Sequence, residues 1–132
     1  MKKKIIIGSI IGIILIISLT LIITINVLNK NLEELNNLTI ENVDLSELSD
    51  GDYYGSYSVF PVEVEVKVTV ENHLITNIML IKHVNGQGSD AEVIPDRIIA
   101  SQSLDVDIVT GATYSSKVIL KAIENALNSE PR

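Results

Sequence analysis

VEVEVKVTV, residues 62 to 70, alternates without a break: valine holds every even position, and Glu63, Glu65, Lys67 and Thr69 hold the odd ones. Successive side chains on a β-strand point to opposite faces, so this stretch has one face on a core and one in water. Glu71-Asn72-His73 follows as a short turn, with Asn72 suited to a left-handed backbone, and LITNIMLI at 74–81 returns as the partner strand. Upstream, Asp50-Gly51 is a turn pair opening DYYGSYSVF, a strand-like mixture of aromatic and small residues. The region reads as an antiparallel hairpin or meander.

Downstream the period changes. NGQGS, residues 85–89, is a loop, and Ser89-Asp90-Ala91-Glu92 fits the S-x-x-E capping box at a helix start. Pro95 suits the first turn of a helix that runs to about Gln102. In the last helix Val118, Ile119, Ala122, Ile123, Ala126 and Leu127 form one apolar stripe opposite Lys117, Lys121, Glu124 and Asn125. Strands first and helices after predict an α+β fold, a small antiparallel sheet covered by two helices.

Ahead of this unit, Ile5 to Leu28 is a run of twenty-four residues without a charge. At about 1.5 Å per residue it crosses the roughly 30 Å hydrocarbon core of a bilayer. Lys2, Lys3 and Lys4 would also suit a secretory signal peptide, but the apolar run is far longer than an h-region and no small-x-small cleavage pattern follows it. The reading is an uncleaved signal anchor, with residues 1–28 as cytoplasmic lysines and membrane helix, 29–49 as a polar stalk and 50–130 as the folded domain. Lys30 is the one basic residue soon after the helix, so the expected orientation is N-terminus cytoplasmic and C-terminal domain extracytoplasmic. From Asn29 onward seven Lys/Arg face seventeen Asp/Glu, a formal charge of −10 that disfavours nucleic acid and anionic headgroups. The absence of cysteine excludes disulfides, thiolate metal ligation and cysteine nucleophiles.

DIVTGATYSS, residues 107 to 116, crowds two threonines and two serines around Gly111, between Ile108-Val109, read as a strand end, and the final helix. Gly111 and Ala112 allow close backbone approach, and a helix N-terminus favours an anion such as a phosphate. The competing role is plain capping by Thr113, Ser115 or Ser116.

Asp107-Ile108-Val109-Thr110-Gly111-Ala112-Thr113 resembles the D-x-x-[ST]-G-A-[ST] flavinylation motif of FMN-binding domains, as in the FMN-carrying subunits of the sodium-pumping NADH:quinone oxidoreductase and the Rnf complex and in small extracytosolic flavoproteins. DGDYYGSYSVF is similar to that family's opening segment, and SQSLDVDIVTGATYSSKVILKAIENAL to its C-terminal signature, so the resemblance covers about residues 50 to 128. It implies FMN held through a phosphoester on Thr113, attached by a membrane-associated flavin transferase using FAD and Mg²⁺. It further implies close approach at Gly111 and Ala112, support from Thr110, and presentation of the site by Asp107. Ser115 or Ser116 would then take the cap.

Tyr54, Tyr57 and Tyr114 each have two open roles, stacking on the flavin ring or packing within the fold. His73 and His83, at a turn and a strand end, show no metal-ligand spacing, and Asp90, Glu92 and Asp96 read as a helix start and its solvated face. The resulting expectation is a carrier with no catalytic residues of its own. It is a membrane-anchored extracytoplasmic flavoprotein, relaying electrons from a membrane redox complex or quinol-linked donor to an external acceptor or reductase. The alternatives are a non-covalent FMN or anionic-ligand sensor and a structural, partner-binding ectodomain.

Overall fold

The computed structural model describes residues 2–132, with Met1 outside the described residues. The chain divides into two units, residues 1–36 and 37–132. The first is the helix α1, Lys2–Asn36, long and apolar enough to cross a membrane. Its hydroxyls are satisfied within the helix: Ser9 and Thr24 donate to carbonyls four residues back, Ser18 and Thr20 to carbonyls three back. In hydrocarbon, where water is missing, that internal bonding spares each group a cost of several kcal/mol.

The second unit is α+β. Strands β1 (Gly51–Val59), β2 (Val62–Glu71) and β3 (Leu74–Val84) form one antiparallel sheet in the order β1-β2-β3. The valines at 62, 64, 66, 68 and 70 are buried, as strict alternation requires. The β2–β3 turn uses Asn72 (φ 53°) and His73 (φ 62°), two left-handed residues whose twist matches a two-residue hairpin. Helices α2 (Ile94–Ser101) and α3 (Thr113–Leu127) pack on β3 and on β1 and β2, respectively. At the β1–α3 contact Gly55 is indispensable: a β-carbon there would strike the Ala122 carbonyl and the Ala126 amide, and would lie 2.7 Å from the Ala126 Cα. Helix backbone therefore rests on strand backbone.

Three sequence expectations change. The folded unit starts before residue 50: the Leu104 amide donates to Asn42 Oδ1 at 3.0 Å and the Tyr53 hydroxyl to the Ser49 carbonyl at 2.7 Å, so residues 37–49 belong to it rather than to a stalk. Ser89 does not cap a helix: Gly88 occupies the cap position of a 3₁₀ segment, Ser89–Val93, with no side-chain cap bond, because Glu92 turns away to His83. Ile108-Val109 is not a strand end but part of an irregular loop. Its neighbourhood bonds to side chains instead of a fourth strand, Asp107 O to Arg97 and Val109 N to Ser116. At the other extreme of the unit the Arg132 amide donates to the Asp52 carbonyl at 2.9 Å, and Pro131 packs on Gly51.

Candidate functional site

The motif forms a tight turn feeding α3. The Ala112 amide donates to the Val109 carbonyl at 3.0 Å, closing a turn in which Gly111 holds φ +84°, a conformation that disfavours any side chain. No atom lies within 4 Å of where a Gly111 β-carbon would stand, so this side of the turn is open. Ala112 is buried, whereas Thr110 and Thr113 are exposed. Thr113 is the first residue of α3, its hydroxyl free of any hydrogen bond among the described residues.

The capping role predicted for Ser115 or Ser116 is not what the structure shows. Ala112 occupies the cap position and no side chain caps the helix, because α3 starts at Thr113 and places both serines inside its first turn and a little beyond. Ser116, fully buried, donates to the Ala112 carbonyl at 2.8 Å and accepts from the Val109 amide at 3.1 Å, pinning the turn to the helix. Ser115, also buried, lies against Gly88, where a β-carbon would fall 2.7 Å from the Ser115 Cβ. Gly88 thus brings the Asn85–Gly88 loop against the start of α3. The Gly-x-Gly spacing at 86–88 was the available sequence signal for that contact.

Of the aromatics, Tyr114 stays beside Thr113, its hydroxyl donating to the Phe60 carbonyl at 2.7 Å, and Phe60 itself is 62% exposed. Phe60 is the neighbour that sequence reading did not single out. Tyr57 pairs with Val64 on the helix-facing side of β1 and is half-buried. Tyr54 faces the opposite side, across from Lys67, and its carbonyl accepts from Ser129 at 3.4 Å, past the far end of α3. The length of α3 therefore separates Tyr54 from Thr113, about 21 Å at 1.5 Å per residue. The structure does not bring Tyr54 to the motif.

Asp107 is exposed, and its carbonyl accepts from Arg97 Nη1 at 2.6 Å. Arg97 and residues 105–110 line an open cleft of about 640 Å³, adjoining the motif turn and within the size range of ligand pockets. His83 has its Nδ1 2.9 Å from Glu92 Oε1, with Asn85 Nδ2 3.3 Å from the same nitrogen; its Nε2 is buried without a partner. Among the described residues no cluster of three or more His, Cys, Asp or Glu is placed to hold a metal.

These features fit a flavin phosphate. The turn is open at Gly111, the helix N-terminus carries no acidic residue in its first turn to compete for the dipole, and an exposed hydroxyl stands there.

Comparison with known proteins agrees with this geometry. Residues 60–128 match the model of the FMN-binding domain. The chain is 36% identical over 70 residues to urocanate reductase of Eggerthella lenta, covering 51% of this chain and 12% of that one. It is 28% identical over 103 residues to NADH:acrylate oxidoreductase of Vibrio harveyi, covering 76% and 10%. An uncharacterized protein of Treponema pallidum is 28% identical over 85 residues, covering 62% and 24%. The chain therefore spans between a tenth and a quarter of the length of these relatives. With more than half of its residues inside the matched region, the chain belongs to the FMN-binding domain family.

Proposed function

We propose that the protein is a membrane-anchored extracytoplasmic electron carrier bearing one FMN, esterified through its phosphate to Thr113. The observation that carries this reading is the placement of Thr113: an exposed, unbonded hydroxyl on the first residue of an uncapped helix, directly after the open Gly111 turn. In the attachment step, the Thr113 oxygen bonds to the FMN phosphorus of FAD, the pyrophosphate linkage breaks, AMP leaves and the hydroxyl proton passes to the transferase. Mg²⁺ on the transferase would offset the charge of the leaving phosphate. The phosphodiester keeps one negative charge, which the α3 dipole stabilises by about 0.3–1 kcal/mol.

FMN, once bound, supplies the redox chemistry, and the protein fixes its place and tunes its potential. Ser116 holds the turn, Ala112 anchors it in the core, and Tyr114 with Phe60 provides an aromatic surface beside the attachment point. The apolar run of α1 provides the anchor, and the three N-terminal lysines support a cytoplasmic N-terminus. The donor would be a membrane redox complex or quinol-linked enzyme, and the acceptor an extracytoplasmic reductase.

Intact-mass measurement of the full chain, co-expressed with a flavin transferase, tests the reading. The expected result is a gain of one FMN less water that disappears in Thr113→Ala. Flavin released intact by denaturation would instead indicate non-covalent binding, and a chain without flavin would overturn both.

A further inference from the structure

Arg97 differs from three lysines of the second unit. Lys67, Lys82 and Lys121 each pair with a carboxylate, Asp52, Glu63 and Glu124, at 3.4, 2.8 and 2.8 Å. Arg97 has no such partner among the described residues, although the chain from Asn29 onward carries a formal charge of −10. A main-chain oxygen fixes it instead: Nη1 donates to the Asp107 carbonyl at 2.6 Å. A guanidinium has five donors in a planar fork, so most remain for whatever enters the cleft that Arg97 lines. That cleft ends at Val109 and Thr110, where the turn leading to Thr113 begins.

We propose that the ring of the Thr113-linked FMN lies in this cleft and that the Arg97 guanidinium holds the negative charge the ring acquires on two-electron reduction. The proposal rests on the covalent reading above. With the phosphate at Thr113, the ribityl arm carries the ring away from the helix, and the cleft beside Thr110 lies within its sweep. Reduction adds two electrons from a quinol, a reduced flavoprotein or, in the test tube, dithionite, together with one proton at N5. With two electrons and only that one proton gained, N1 stays unprotonated and the reduced ring carries one negative charge shared by N1 and the C2 carbonyl oxygen, a planar edge that a forked guanidinium matches. Every acidic group nearby acts the other way. Asp105 and Asp107 line the same cleft, and Asp96 precedes Arg97 on α2. Arg97 is the one basic residue lining the cleft, with Lys117 of α3 on the adjoining pocket that shares Asp105, Val106 and Ile108, and the bond of Arg97 to Asp107 O positions it before the charge develops.

The test uses the flavin-loaded full chain in detergent, with loading verified by mass. The dithionite-reduced protein is titrated by absorbance to find the pH at which N1 loses its proton, with free FMN in the same buffer as reference. The expected result is ionisation at lower pH than in free FMN, against the trend set by the acidic domain. Arg97→Gln should raise the proton affinity of N1 at least tenfold, Arg97→Lys should restore most of the effect, and Lys82→Gln should leave it unchanged. Wild type ionising at or above free FMN overturns the proposal, as do coincident titrations of wild type and Arg97→Gln, or an equal shift in Lys82→Gln. If Arg97→Gln does not load, wild type against free FMN decides alone. A wild-type chain of unmodified mass overturns the covalent reading itself, and mass distinguishes that failure from the others.

Discussion

The Ser116 hydroxyl accepts the Val109 amide at 3.1 Å and donates to the Ala112 carbonyl at 2.8 Å, tying both ends of the motif turn to one buried side chain. Ser116→Ala leaves the Val109 amide unpaired, and the expected destabilisation is about 1–3 kcal/mol. Because the turn presents Thr113, flavin loading should slow as well, measured as the rate of mass gain with transferase and FAD. Loading at the wild-type rate would show that the turn holds its shape without this pin.

Thr113 carries no structural duty, being exposed and without a hydrogen bond. Thr113→Ala should abolish covalent flavin while changing stability by less than about 0.5 kcal/mol, whereas Thr113→Ser should still load. Denaturant midpoints and intact mass check the two halves.

Gly55→Ala should be among the most damaging single-methyl additions. Its β-carbon meets helix backbone, which cannot rotate away, so α3 must lift from β1 at a cost of about 1–3 kcal/mol or more. A denaturant midpoint equal to wild type would show that the contact has slack.

Asp52 is held below the usual carboxylate range by the Thr69 hydroxyl, 2.7 Å away, against some desolvation, with Lys67 adding to the lowering. A carboxylate with a lowered folded-state value binds its proton more readily when unfolded. Its contribution is therefore complete above about pH 4 and is lost as pH falls through the folded value. Asp52→Asn should flatten the fall in stability over that window, read from urea midpoints at pH 6 and pH 3.

Ile108 lines the cleft beside the motif turn, and Tyr54 lies at the other end of α3. Ile108→Ala should perturb the visible absorbance or fluorescence of bound flavin, and Tyr54→Ala should not. A reversal would place the ring across the sheet.

Much of the fold was legible because its strongest element is local. Strict alternation at 62–70 assigns faces to β2, and the stripe from Val118 to Leu127 assigns one to α3, with no need of distant partners. The motif, too, was readable as residue types at fixed spacing. What escaped was tertiary. Ile108-Val109 has strand-like composition, but side chains from α2 and α3 take the backbone groups around it. Ser89 and Glu92 have cap spacing, but Glu92 turns to His83. Tyr54 and Tyr57, three apart on one strand, fall on opposite faces by alternation alone, but which of the two faces α3 is set by packing.

The bond between Arg132 and Asp52 brings the first strand of the second unit beside the residues that follow α3. A sheet whose first strand lies beside the segment following its last helix keeps the two flanks of its core close together, a geometry that tolerates insertion into a longer polypeptide. Such a cassette suits a family whose matched stretch fills only 10% and 12% of two named relatives.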